Sequence, residues 1–268
     1  MKFSKLHGLG NDFIVITELE KEKIKNKKEF SEKQCKRNFS VGADGVLFLC
    51  PSQKSDFKMR IFNSDGSEAE NCVNGLRCAV LEKFLLDGKK QKEYSVETLA
   101  GTAKAKILSF EKNSALIEIT FLGKQEFKGK QYIEIGGKSF EYYFVDVGNP
   151  HAVVFLKEPV KDFSVEETGH AFECHEKFFP QRTNAEFVNL ISPKHVKMRV
   201  HERGACETMA CGSGSIAIVI AGIEAGVLEK DSWVKVEQPG GIIEINSGKE
   251  LLLRAKAEKV FEGNLEVE

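Results

Sequence analysis

The chain repeats itself at an offset of 139 residues, and this limits its possible folds more than any other feature. Lys58-Met59-Arg60-Ile61 recurs as Lys197-Met198-Arg199-Val200. At the same offset Glu68 aligns with Glu207, Cys72 with Cys211 and Gly75 with Gly214. From Lys58 to Gly75, 6 of 18 positions are identical, where ordinary composition gives about one by chance. Gly10-Asn11 ahead of one apolar run is echoed by Gly148-Asn149 ahead of another. With 268 residues, 41% of them hydrophobic, there is chain enough for two halves, each with its own core.

Hydrophobic patterning fills in the two halves. Short apolar runs read as strands at 13–17, 46–49, 59–62, 115–121, 141–145, 152–156, 187–191, 197–201, 233–237, 241–245 and 251–254. Leu76 to Leu86 and Ser215 to Ala225 are apolar nearly all round and stop at Gly88 and Gly226, the pattern of buried helices with glycine C-caps. Two more polar helices are expected at 31–39 and 164–175, capped by Ser31 and Ser164. The expected fold class is α/β (α+β): two pseudo-symmetric domains, each a curved, mostly antiparallel sheet wrapped around a central helix. The halves divide as 1–114, completed by 257–268, and 115–256.

Charge narrows the function. Lys plus Arg is 39 and Asp plus Glu is 40, with no basic cluster, which argues against nucleic-acid and polybasic membrane binding. His7, Asn11 and Asp12 interrupt any signal-peptide core, and no apolar stretch approaches a bilayer span, so a cytoplasmic protein is expected. Seven cysteines, an odd number without a CxxC pair, fit free thiols. Cys72 and Cys78 lack a nearby histidine ligand, and no metal site is expected. GLGNDF lacks dinucleotide-fingerprint spacing.

The repeated unit carries the chemistry. In both halves a strand and a polar loop deliver a cysteine to the start of a buried helix, just before a glycine: FNSDGSEAENCVNG and HERGACETMACGSG. Free N–H groups and the helix dipole there favour anions. They can lower a thiol's pKa and stabilise charge developing on a bound carboxylate. One thiolate can take a proton from the carbon beside that carboxylate, and a thiol on the opposite face can return one, inverting the centre. Like charges oppose each other, so one thiolate with one thiol is the working state. No cofactor is required.

The motifs KLHGLGNDFIVI, GADGV, FNSDGSEAENCVNG, GNPHAVVF, RTNAEFV, RVHERGACETMACGSG and VEQPGG together resemble the diaminopimelate epimerase family over almost the whole chain. The resemblance implies a cofactor-independent isomerase of lysine and peptidoglycan precursor synthesis, usually homodimeric, that interconverts L,L- and meso-diaminopimelate in an active site expected in the cleft between the two domains. It implies Cys72 and Cys211 as the acid/base thiols, by family convention donor and acceptor. It places Val73, Asn74, Gly212 and Ser213 around the reacting carboxylate. It assigns Asn11, Asp44, Asn63, Asn149, Asn184, Glu202 and Arg203 to substrate binding, with His151 and Glu202 tuning the site. The chemistry is consistent: Arg203 suits a distal carboxylate, and Glu202 and the amide oxygens suit ammonium groups.

Two positions depart from the family pattern. Val73 and Cys206 stand where glycine is usual. Valine would be strained at positive φ but costs little as a first helical residue. Two other readings stay open from residues alone. One is a racemase of this fold acting on proline, hydroxyproline or histidine. The other is a redox-sensing or ligand-binding protein whose two thiols form a reversible disulfide.

Overall fold

A computed structural model describes residues 1–20, 24–70, 72–178 and 180–266. The chain forms two compact units, Met1–Leu122 with Arg254–Glu268, and Gly123–Leu253.

The first unit opens with a hairpin of β1 (Lys2–Gly8) and β2 (Asn11–Thr17). Its two-residue turn, Leu9-Gly10, has φ values of 58° and 89°, the left-handed pair that matches the twist of a tight hairpin. Asn11 is thereby held as the first residue of β2. Helix α1 (Lys27–Gln34) follows. It starts a turn before the Ser31 expected to cap it, because Asn26 caps it reciprocally with Glu29. Asn26 Oδ1 accepts the Glu29 N–H (3.2 Å), and Asn26 Nδ2 donates to the Glu29 carboxylate (2.9 Å). Ser31 instead lies buried inside the helix and donates to the Lys27 carbonyl at 2.8 Å.

Strand β3 (Gly45–Cys50) runs parallel to β2, and β4 (Phe57–Asn63) pairs antiparallel with β3. The short β5 (Glu68–Ala69) folds back on β4 and leads into α2 (Val73–Leu86). Beyond the helix, β6 (Glu93–Thr98) is parallel to β4, and β7 (Gly101–Glu111) and β8 (Ser114–Thr120) continue the sheet antiparallel. Helix α2 packs against β1, β2, β3, β4, β7 and β8, so the sheet curls around it. That explains why apolar residues occur all round the helix: Cys78, Ala79, Val80 and Leu81 are all fully buried.

The second unit repeats this order. Strands β9 (Glu126–Ile135), β10 (Lys138–Asp146) and β11 (Pro150–Phe155) form an antiparallel run. Helix α3 (Val165–Glu173) occupies the place of α1; Ser164 precedes it but makes no side-chain cap bond. Strand β12 (Asn184–Ser192) is parallel to β11, and β13 (His195–Glu202) is antiparallel to β12. The short β14 (Cys206–Thr208) folds back on β13 before α4 (Gly212–Glu224). Then β15 (Trp233–Gln238) lies parallel to β13, and β16 (Gly241–Ser247) is antiparallel to β15. Helix α4 touches β9, β10, β11, β12 and β16. Its Ile216, Ile218 and Val219 are fully buried, each worth about 1.5–3 kcal/mol of apolar burial. The last strand, β17 (Leu251–Asn264), starts in the second unit and ends in the first. There it pairs with both β1 and β8 and closes the first unit's sheet into a barrel.

The mixed α/β architecture of two like-built domains expected from the repeat is present, and the repeat is exact in register. Phe62 pairs with Glu68 in the first unit and His201 with Glu207 in the second. Each unit also carries the same two-pronged ion pair. Arg60 grips Glu68 at 2.7 and 2.8 Å, and Arg199 grips Glu207 at 2.6 and 2.7 Å. Both pairs brace the loop that leads to the cysteine. Among the described residues no helix is long and apolar enough to cross a membrane.

Candidate active site

Each central helix is capped by its cysteine. Cys72 precedes α2 with extended backbone (φ −153°), and its sulfur accepts the Gly75 N–H at 3.3 Å. Cys211 precedes α4 with φ −118°, and its sulfur accepts the Gly214 N–H at 3.3 Å. The next N–H groups, of Leu76 and Ser215, return to the cysteine carbonyls at 2.8 and 3.1 Å. In α4 this leaves the N–H groups of Gly212 and Ser213, earlier in the first turn, as ready anion donors. All seven cysteines are free thiols.

Around Cys72 the first unit builds an amide relay. The thiol faces Asn11 Oδ1 at 3.9 Å, and Asn74 Nδ2 donates to the same oxygen at 3.3 Å. Asn11 is turned this way because its own Nδ2 donates to Asp44 Oδ2 at 2.8 Å. Asp44 thus stands behind Asn11 and acts through it. Arg37 ties the arrangement down, donating to Asp12 at 2.7 Å and to Asp44 at 2.6 Å, and Lys5 pairs with Asp12 at 2.5 Å. Burial alone would raise the Asp12 pKa, but the Arg37 and Lys5 contacts outweigh it and bring the carboxyl to about 2. A depressed carboxyl stabilises the fold above its unfolded pKa and stops doing so as the folded group protonates. Asp12 is therefore expected to contribute about 2 kcal/mol at neutral pH, a contribution lost as the pH falls from about 4 through about 2. Urea denaturation of the protein and of Asp12→Asn across that range tests it. The two curves should converge at the acid end, and a constant gap would refute the assignment. Asn63 is exposed and donates to Ser67 Oγ at 3.0 Å within its own turn.

Arg77, which the sequence reading passed over, lies wholly buried one turn into α2. Its guanidinium donates to Asn74 Oδ1 (2.7 Å), the Val73 carbonyl (3.1 Å) and the Lys256 carbonyl (3.4 Å). Every one of these acceptors is neutral, and burial pulls its pKa down to about 10. The residue at the matching position of α4 is Ile216.

The second unit surrounds Cys211 with the opposite charge. His151 and Glu186, both fully buried, meet at 2.6 Å, and the other ring nitrogen of His151 faces Asn149 Oδ1 at 3.2 Å. Burial drives the Cys211 thiol well above its ordinary range. The carboxylates of Glu202 and Glu186 add to this, and bonds from Ser213 and the Gly214 N–H oppose it only in part. The helix-terminus effect expected to lower this thiol is therefore outweighed by burial and by two acidic neighbours. Burial also raises the Glu202 carboxyl, against hydrogen bonds from Thr208 and from Cys211 itself. Gln238 holds the cap from behind, accepting the Cys211 N–H at 2.9 Å. Asn184 is committed to the backbone, donating to the Pro150 carbonyl and accepting the Arg203 N–H, both at 2.9 Å. It shapes the turn that presents Arg203, whose exposed guanidinium spends one N–H on the Gln181 carbonyl at 2.7 Å.

The two family departures resolve differently. Val73 is the first residue of α2 and has no positive φ, so its branched side chain is unstrained. Cys206 has φ 60° and is exposed, a left-handed conformation that costs a residue with a Cβ roughly 1 kcal/mol. Cys206→Gly is expected to gain up to about 1 kcal/mol in urea denaturation, a gain reduced by glycine's greater unfolded-state freedom. A loss of stability would show that the thiol makes contacts that offset the strain.

Each of the two like-built units thus carries a cysteine at the head of its central helix. The same fold is seen in a predicted epimerase from Pseudomonas aeruginosa (TM-score 0.74, 12% identity, covering 100% of this chain and 99% of that one). It is also seen in a hydroxyproline epimerase from Agrobacterium vitis (TM-score 0.70, 13% identity, 98% and 91% covered). The diaminopimelate epimerase family model matches residues 3–123 and 143–255. Diaminopimelate epimerases of Carboxydothermus hydrogenoformans and Methanococcus maripaludis are 41% and 40% identical, each covering at least 98% of both chains. The chain belongs to the diaminopimelate epimerase family.

Proposed function

We propose that the chain interconverts L,L- and meso-diaminopimelate by proton transfer at the α-carbon, with Cys72 and Cys211 as the two acid/base groups. One thiolate removes the α-proton while the other thiol delivers a proton to the opposite face, and reversing the direction exchanges their roles. The observation that carries this reading is the matched pair of cysteine caps, each sulfur 3.3 Å from the N–H three residues on. The first-turn N–H groups, including those of Gly212 and Ser213, would hold the reacting carboxylate and stabilise the charge that develops on it. Asn11, Asn74 and Asn149 would take ammonium and carboxylate groups, and Arg203 the distal carboxylate. Asp44, Asn63, Asn184 and His151 would support these contacts, and Glu202 would exchange a proton with Cys211. Membership of a family named for diaminopimelate favours this substrate over proline, hydroxyproline or histidine. A homodimer in the cytoplasm belongs to the same reading.

The test is α-proton exchange in heavy water with L,L-diaminopimelate and reduced protein. Deuterium at the α-carbon together with meso product is expected. Absence of exchange with diaminopimelate, but exchange with another amino acid, would replace the substrate assignment.

A further inference from the structure

A cluster of ligating side chains lies on the outer helix of the second unit, apart from the groups that surround Cys211. Glu166 and His170 are four residues apart on α3 and so share one face of it. Opposite them, on β13, stands His201, fully buried. Gly169 makes this approach possible, since a Cβ there would lie 2.2 Å from His201 Cβ and 2.7 Å from its ring. Ligand atoms of His170, Glu173 and His201 all lie within 4.8 Å of one another.

The two nitrogens of His201 are in different situations. Nε2 meets Glu173 Oε2 at 2.8 Å. The Glu173 carboxylate is itself fixed by Arg182 at 2.6 Å and by the Gly204 N–H at 2.9 Å. Nδ1 is buried and has no hydrogen-bond partner. It faces Glu166 Oε2 at 3.9 Å, an oxygen that also accepts the Glu207 N–H at 3.1 Å. A neutral imidazole that donates Nε2–H to a carboxylate carries its lone pair on Nδ1. This is the carboxylate–histidine arrangement that orients imidazole ligands in metal sites. A buried, unshared lone pair facing a carboxylate, with a second imidazole beside it, is what a borderline cation would satisfy.

We propose that His201 Nδ1, His170 and Glu166 form a binding site for a divalent transition metal of the Zn2+ class, with Glu173 as the outer carboxylate that fixes the His201 tautomer. His170 and Glu166 are exposed, so their side chains are free to turn toward a cation held by His201 Nδ1, to metal–ligand distances of about 2.0–2.2 Å, and water would complete the shell. The Cys174 thiol, 3.8 Å from His170 Nε2, stands at the rim. His201 immediately precedes Glu202 and Arg203, and Glu173 also holds the Gly204 N–H, so occupancy would brace the turn that carries both.

Equilibrium dialysis of the reduced, full-length protein against Zn2+ alone tests the site. The Cys72→Ser/Cys211→Ser variant is dialysed in parallel, so that metal captured by those thiols is recognised. One Zn2+ per chain at micromolar concentration is expected in both. His170→Ala and Glu166→Ala should each weaken binding about tenfold or more, and Glu173→Gln about 10- to 100-fold. The exposed His170 and Glu166 carry the test, because replacing the buried His201 could unfold the unit. Absence of stoichiometric binding would overturn the proposal. So would binding that persists in His170→Ala and Glu166→Ala, or that disappears with Cys72 and Cys211. None of these outcomes bears on the epimerase reading.

Discussion

Cys72→Ser and Cys211→Ser are each expected to lower the rate of stereoinversion by about 10²–10⁴-fold while leaving the fold intact. The structure separates these two effects. Each sulfur accepts an N–H at 3.3 Å as a helix cap, and serine is among the best N-cap residues. A serine hydroxyl keeps the cap but is far too weak an acid to serve as the base. Melting temperature should therefore change little while deuterium incorporation and meso product both fall steeply. A variant that retained inversion would remove that cysteine from the reaction. Loss of inversion with diaminopimelate binding preserved, and no exchange even in the unmodified protein, would point to the redox-sensing alternative.

Gly214→Ala should be nearly as damaging, although it adds one methyl group. Its Cβ would stand 2.7 Å from Glu186 Oε1 and 3.3 Å from Cys211 Sγ. Glu186 cannot swing away, because it is fully buried and clamped to His151 at 2.6 Å. Either the carboxylate or the thiol must move, and a displacement of about 1 Å costs on the order of 10²-fold in rate. The matching change in the first unit, Gly75→Ala, meets Leu47 Cδ2 at 3.0 Å and Ile61 Cδ1 at 3.4 Å, with Cys72 Cβ in ordinary contact at 3.6 Å. Those apolar methyl groups can rotate, and alanine favours the helix by about 1 kcal/mol. Its effect on rate should be only a few-fold. Initial rates of the two variants side by side test this. Equal losses would mean that the crowding around Glu186 is not what matters.

The cysteine caps were legible because they recur at a fixed offset with glycine three residues on, and the central helices because their apolar character has no polar face. Several strands were not. In β7, Ala103, Ala105 and Ile107 point inward while Lys104 and Lys106 point out. The alternation is clean, but alanine carries too little hydrophobicity to announce it. In β1 the buried side chains include Ser4 and Lys5, which find partners only through tertiary contacts. Helix α1 was misplaced by a turn because Ser31 imitates a cap that Asn26 supplies. Arg77 and Glu186 were missed because they break the repeat: their counterparts at the offset of 139 are Ile216 and Leu47. Symmetry reveals what the halves share and conceals the buried charges that distinguish them. The helix-terminus argument for a lowered Cys211 pKa failed for the same reason, since the acidic neighbours Glu186 and Glu202 stand where the first half has Leu47 and Asn63.

The final strand has a consequence for how the molecule is made. Lys2 pairs with Asn264, so β1 waits for a strand that is made only after the whole of β9 to β16. During translation the second unit emerges with nearly all of its strands in hand, while the first must persist as an unclosed sheet with β1 and β8 lacking their common neighbour. Contacts of such long sequence separation form slowly, and unpaired strand edges invite association with other chains. The first unit is thus begun before the second and closed after it, and loss of β17 would be felt in the unit that carries Cys72.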